Sequence, residues 1–449
     1  MTTIDILQHD SPVALTAVAE QVLDSARRNG ATSADVDVSR GVGRDVGVRL
    51  GEVETLEQQR DRSLDVTVYV GQRKGSASTA DFSRDAVDAV VAQACAFARH
   101  GSEDPAAGLA DVELMATALP SLDLYHPWQL DVDQAIDLAL ACEAAGRGAE
   151  ARISNSNGAT VASYAGESVY ANSHGFVHHT AGTRHSVSCS LVAGEKDAMQ
   201  REYWYTAARA AEDMQDAEAV GREAARRTVA RLGPRAIKTG RYPVLFAPSM
   251  ARGLMQSFIG AISGGALYRK ASFLLESLGE PVFPAFLSVS EDPFIPRALS
   301  SSAVDSEGVA RQARKLIDRG VLTGWVLSSY SARKLGLQTT GNAGGVCNLT
   351  LDCETQSFDA LLKTLGRGLL VTEMMGNGGN PVTGDYSRGA AGFWVENGEI
   401  AHPVEGVTVA GNLRDVFANV VAVGDDSCLT ANLRNGSMLI GELTVASAD

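Results

Sequence analysis

No run of apolar residues in this 449-residue chain approaches the length of a membrane span, which argues against a transmembrane protein. The stretch Met1 to Asp10 carries neither a basic cluster nor an apolar core of signal-peptide length, so the expected address is cytoplasmic. Cysteine is sparse. The six residues Cys95, Cys142, Cys189, Cys347, Cys353 and Cys428 show no repeated short spacing, which excludes a disulfide framework or zinc ribbon and predicts reduced, mostly buried thiols. Basic residues are also in deficit: 39 Lys and Arg stand against 54 Asp and Glu, a net charge of −15 that argues against nucleic acid as a direct ligand.

Several catalytic signatures are missing as well. A zinc peptidase usually places two His on one helix with a Glu beside the first, because neutral imidazoles bind the metal and the carboxylate activates its water. No such pair exists among His9, His100, His126, His174, His178, His179, His185 and His402. There is no Gly-x-Ser-x-Gly elbow for a covalent mechanism, and no glycine string is followed by Gly-Lys-Ser/Thr as a phosphate cradle requires. Only His174, His178, His179 and His185 are dense enough to invite a metal reading. His178 and His179 are adjacent, so on a strand they face opposite ways, whereas His174 and His178 would share a face. The plainer reading is polar side chains on a half-exposed strand.

What the chain does have is 45 glycines, about one residue in ten against a typical 7%, most of them beyond Gly240. Leu15 to Arg28 has apolar residues at helical spacing and stops at Asn29-Gly30. From Ala34 to Thr79, alternating and β-branched segments between glycine breaks predict an antiparallel meander, closed by a helix over 85–99. The stretch from His100 to Trp128, with Pro105, Pro120 and Pro127, reads as a linker. A helix over 131–147, strands within 151–191 and over 203–208, and a helix over 213–232 then repeat the order of the first unit. The predicted fold class is α+β, with N-terminal helix plus antiparallel sheet units followed by a Gly-rich, β-dominated C-terminal domain. The expected boundaries are 1–120, 121–234 and 235–449. In the last of these, the strings Gly341-Asn342-Ala343-Gly344-Gly345 and Gly376-Asn377-Gly378-Gly379-Asn380 read as tight turns, where backbone approaches backbone or a bound peptide. Gly344, Gly345, Gly378, Gly379 and Asn380 are the candidate peptide-binding positions.

The segments Gly264-Gly265-Ala266-Leu267-Tyr268-Arg269-Lys270, Ser329-Tyr330-Ser331-Ala332-Arg333-Lys334-Leu335-Gly336 and Thr340-Gly341-Asn342-Ala343-Gly344-Gly345 resemble the TldE (PmbA) branch of the TldD/TldE metallopeptidase family. So does the long run from Asn380-Pro381-Val382-Thr383-Gly384-Asp385-Tyr386 through Gly411-Asn412-Leu413. The resemblance runs from about residue 30 to the C-terminus and is strongest after Gly240.

In that family the TldD type carries His-Glu-x-x-x-His on a helix that follows a strand resembling 242–246. The matching helix here reads Leu254-Met255-Gln256-Ser257-Phe258-Ile259-Gly260-Ala261. Gln256 takes the first His position, Ser257 the Glu position and Ala261 the second His position, so all three chemical groups are missing. The family's Cys ligand has no secure counterpart; Cys428 is the nearest thiol. The resemblance therefore implies a zinc-free subunit with no catalytic residue and no cofactor of its own. A TldD-like partner would supply the zinc, and the substrates would be unfolded or short peptides, in leader removal or in degradation of antitoxin-like proteins. The alternative is a homodimeric peptide-binding or scaffold protein with no hydrolytic partner.

Overall fold

The structure is a computed structural model that describes residues 12–427 and 432–447. Cys428 lies outside the described residues. The chain opens with α1 (Pro12–Arg28), β1 (Ser33–Arg49), β2 (Glu52–Val70), β3 (Arg73–Thr79) and α2 (Arg84–His100), and after the linker repeats the theme. The second round is α3 (Val132–Ala149), β4 (Ile153–Asn172), β5 (Val177–Ala193), β6 (Gln200–Ala208) and α4 (Ala217–Ala230). Helix ends follow local chemistry. Asp131 and Gln134 form a reciprocal capping box at the start of α3. Asp216 caps α4 by accepting from Ala219 N–H, which starts that helix later than the 213–232 periodicity predicts.

The two meanders take a form that local patterning does not announce. They are one six-stranded antiparallel sheet, ordered β3-β2-β1-β4-β5-β6, because β1 pairs with β4 along most of its length. Inward positions of β1 alternate as a strand requires. Val36 and Val38 pack with α1 and α2, while Val46 and Val48 pack with the α3 and α4 layer. Between these two apolar patches the same face carries Arg40 and Arg44, both buried. The helices α3 and α4 touch backbone to backbone: a Cβ on Gly221 would overlap the Cys142 carbonyl, so glycine there sets the packing distance.

The C-terminal region begins with β7 (Gly240–Phe246), α5 (Pro248–Ala261) and α6 (Gly264–Tyr268). There follow β8 (Ser288–Glu291), β9 (Arg314–Asp318), β10 (Val321–Leu322), α7 (Ser329–Leu335), β11 (Leu349–Asp352), β12 (Thr355–Gln356) and α8 (Phe358–Leu365). Last come β13 (Gly368–Met375), β14 (Asp385–Glu396), β15 (Glu399–Asn412), α9 (Leu413–Ala418), β16 (Val420–Gly424), β17 (Leu433–Arg434) and β18 (Met438–Ser447). One sheet runs β10-β9-β8-β11-β17 and the other β12-β16-β18-β15-β14-β13-β7. A further pairing of β18 with β7 closes β7-β13-β14-β15-β18 into a ring and removes exposed edges. The main core fills with Phe246, Leu254, Met255, Phe258, Ile262 and Phe417, all essentially inaccessible. Among the described residues no helix is long and apolar enough to cross a membrane.

Candidate functional site

The helix α5 follows β7 as the sequence predicts, with Pro248 in its first turn and Ala251, Leu254, Met255, Phe258 and Ala261 buried. That apolar stripe decides where the three zinc-position residues point. Gln256 is exposed, and Ser257 is half-buried with its hydroxyl donating to Gly253 O at 3.1 Å. Ala261, 2% exposed, sits in the main core. Beside this helix is a cation: Arg388 Nη1 lies 3.8 Å from the point where a Cβ on Gly253 would be. A carboxamide in solvent, a hydroxyl bonded to its own helix, a core methyl and a nearby guanidinium do not make a zinc donor set. Among the described residues no group of three or more His, Cys, Asp or Glu is arranged to hold a metal.

The glycine strings are largely occupied by their own structure. Asn342 is buried, donating to the Glu291 carboxylate at 2.9 and 3.2 Å and accepting from Arg314 Nη2 at 2.6 Å. Gly345 N–H donates to Asn342 O at 2.9 Å, and its carbonyl accepts from Arg311 Nη1 at 2.8 Å. In the second string, Gly378 O accepts from Ser387 N–H at 2.7 Å and Asn380 N–H donates to Asp385 O at 2.8 Å. The Asn380 side chain closes the turn by accepting from Val382 N–H. Backbone does approach backbone here, within the chain itself. Of the candidate positions Gly344, Gly379 and Asn380 are exposed while Gly345 and Gly378 are half-buried, and Gly379 has open space where a side chain would stand.

The four histidines do not converge. His174 lies in the turn between β4 and β5, not on a strand, and so does not share a face with His178. His178 and His179 do face opposite ways. His179 Nε2 meets Glu167 Oε2 at 2.8 Å, and the Glu167 side chain is inaccessible and also paired with Arg40. On the other face the His178 Nε2 is buried without a hydrogen-bond partner, and burial, helped by the neighbouring His179, holds its pKa below the usual value. His185 is sealed beneath the linker: Nδ1 is 2.9 Å from Ser163 Oγ and Nε2 is 2.8 Å from His126 O.

His178, His179, Glu167 and Arg40 line a polar groove of about 780 Å³, walled by the linker at 120–125, the β4 and β5 strands, and the 299–303 loop of the C-terminal region. Arg209 spans the walls, donating to Ala298 O, Leu299 O and Thr183 O at 3.1, 2.9 and 3.2 Å. Sequence reading missed Arg40, Glu167, Arg184 and Arg209. A signal for the first was present, since Arg40 and Arg44 interrupt an otherwise apolar inward row on β1.

Residues 34–98, 125–232 and 239–447 match the first, central and C-terminal domains of PmbA/TldA metallopeptidases. The chain is 47% identical over 424 residues to the Metalloprotease PmbA of Escherichia coli O157:H7, with 94% of each chain covered. Its fold superimposes on a Bacteroides thetaiotaomicron protein described as a candidate modulator of DNA gyrase, with TM-score 0.92, 28% identity and coverage of 96% of this chain and 99% of that one. TldE from Thermococcus kodakarensis shares the fold at TM-score 0.80 and 20% identity, covering 96% of this chain and 100% of that one. With relatives named metalloprotease PmbA matched over nearly its whole length, the chain belongs to the PmbA/TldE branch of the PmbA/TldA metallopeptidase family.

Proposed function

We propose that this chain is the zinc-free, non-catalytic subunit of a cytoplasmic, heteromeric metallopeptidase of the TldD/TldE type that acts on unfolded or small precursor peptides. The observation that carries this reading is the composition of α5, where Gln256, Ser257 and Ala261 stand at the zinc-motif positions. Hydrolysis needs a metal-bound water and a base, and these side chains supply neither. A TldD-like partner supplies both. The contribution of this chain is then shape: half of a closed chamber that admits unfolded chains and excludes folded ones. Gly344 and Gly379, with their neighbours Gly345, Gly378 and Asn380, are the turns at which a peptide main chain comes close. The domain boundaries that go with this reading are 1–120, 121–234 and 235–449.

The test is peptidase activity toward an unfolded peptide with this chain alone, a TldD-like chain alone, and the two together. Chelator-sensitive cleavage in the mixture, with none from this chain alone, is the expected result. Chelator-sensitive cleavage by this chain alone overturns the reading.

A further inference from the structure

The sheet of the N-terminal half has an incomplete edge. β5 stays in register with β4 from Ala193 back to Val177, but β6 covers β5 only from His185 onward. Over 177–184 the outer side of β5 is met at one residue. Thr183 N–H donates to Leu124 O at 2.9 Å, and Thr183 O accepts from Arg209 Nη1 at 3.2 Å. Alternate residues of an antiparallel strand turn their N–H and C=O to the same side, so Ala181 and His179 present theirs outward, into the 780 Å³ groove. Neither has a backbone partner on that side among the described residues. Val177, 43% exposed, continues the edge.

The charges around this edge are unbalanced in one direction. Both acids of the groove are already paired within the fold: Glu167 with Arg40 and with His179, and Asp123 with Arg297 at 2.7 Å and with His126 at 3.1 Å. Arg209 donates to the carbonyls of Ala298, Leu299 and Thr183, and neither it nor Arg184 has an acidic partner among the described residues. Burial, and next the charge of Arg184, hold the Arg209 pKa below its usual value. Two guanidiniums thus lie close together without a carboxylate between them, in a chain whose net charge is −15. On the inner side of the groove, the buried His178 Nε2 lacks a partner.

We propose that this groove is a docking site for an extended, acidic peptide segment, whose main chain adds to the β5 edge at His179 and Ala181 and whose carboxylates are met by Arg184 and Arg209. Main-chain pairing gives affinity without sequence demand, and the cations choose among peptides by charge. The site deepens the reading above and rests on it for the origin of the peptide.

The probe is a fluorescein-labelled octapeptide of alternating Val and Asp, titrated with the full-length chain by fluorescence anisotropy. Saturable, salt-sensitive binding is expected, weakened tenfold or more by Arg184→Glu and absent for the Val/Lys counterpart. A second measurement leaves the protein untouched. N-methylation of the Val residues in one peptide and of the Asp residues in another should abolish binding in one case only, since a strand bonds its neighbour through alternate residues. No saturable binding, equal binding of the Lys peptide, or indifference to both N-methyl patterns overturns the proposal. So does an Arg184→Glu variant that keeps peptide affinity but no longer co-purifies with a TldD-like chain, since the edge would then belong to the partner subunit. Cleavage by the mixed subunits with no octapeptide binding sinks this proposal and leaves the subunit reading standing. Binding without cleavage in any mixture does the reverse.

Discussion

Asp35 offers a test of how the two halves of the molecule are held together. It lies on β1 opposite Thr67 and Asn172, where Tyr170 OH donates to Glu307 O at 3.1 Å across to the C-terminal region. Burial, with the added repulsion of Glu307 and Asp37, pushes its carboxyl up from 3.8 to about 7, and Lys74 offsets only part of this. An acid whose pKa is raised in the folded state binds its proton more tightly there. The folded chain therefore carries no penalty below pH 4, a growing one between pH 4 and 7, and a constant one above. Three units at about 1.4 kcal/mol each set a ceiling of about 4 kcal/mol. Because the carboxyl keeps some access to water, about 1–2 kcal/mol is the realistic size. Asp35→Asn removes the ionisation and keeps the shape. Its apparent melting midpoint should exceed the parent's at pH 8 by about 2 °C or more, and by clearly less at pH 4.5, in a calorimetric scan at fixed rate. An equal difference at both pH values, or a lower midpoint at pH 8, refutes the argument.

Three further outcomes follow from named contacts. Glu167→Gln leaves the buried Arg40 without its carboxylate and should cost about 3–5 kcal/mol in urea denaturation. Gly221→Ala drives a methyl into the Cys142 carbonyl and should cost about 1–3 kcal/mol by the same measurement, whereas Gly233→Ala, in open space but at a positive φ, should cost less. The combined Gln256→His, Ser257→Glu, Ala261→His variant should bind no stoichiometric zinc by metal analysis and should lose stability by about 1–3 kcal/mol, because the third change places an imidazole in the main core.

The first helices were legible because their apolar spacing and stop signals are local: α1 ends in Arg27 and Arg28 before Gly30 at φ +83°, as Asn29-Gly30 suggests. The pairing of β1 with β4 was not legible, since its partners are more than a hundred residues apart and nothing in either strand names the other. The short helices α7 and α8 escaped periodicity for want of length. Their capping chemistry was nonetheless written in Ser328 with Ser331, Gly336 at φ +67°, and Ser357. At the site, the chemistry of α5 could be read from residue types alone. The orientation of Gln256 and Ala261 could not, because it depends on which stripe of the helix the β7 core buries.

The same dependence explains why the densest histidine cluster is not a metal site while its surroundings form a groove. Strand alternation sends His178 and His179 to opposite faces, and the linker takes His185 out of solvent altogether. Arg40, placed at an inward position, needs a buried acid; Glu167 fills that need and in turn holds His179. Once those groups satisfy one another, what remains open is the main chain of β5 and the two arginines beside it. The linker has to cross the sheet between the α1–α2 and α3–α4 layers, and it docks on β5 at Thr183 without covering the residues before it. An open edge there is thus a consequence of joining two meanders through a single sheet, and its cationic rim distinguishes it from an edge left exposed by default, which proteins more often protect.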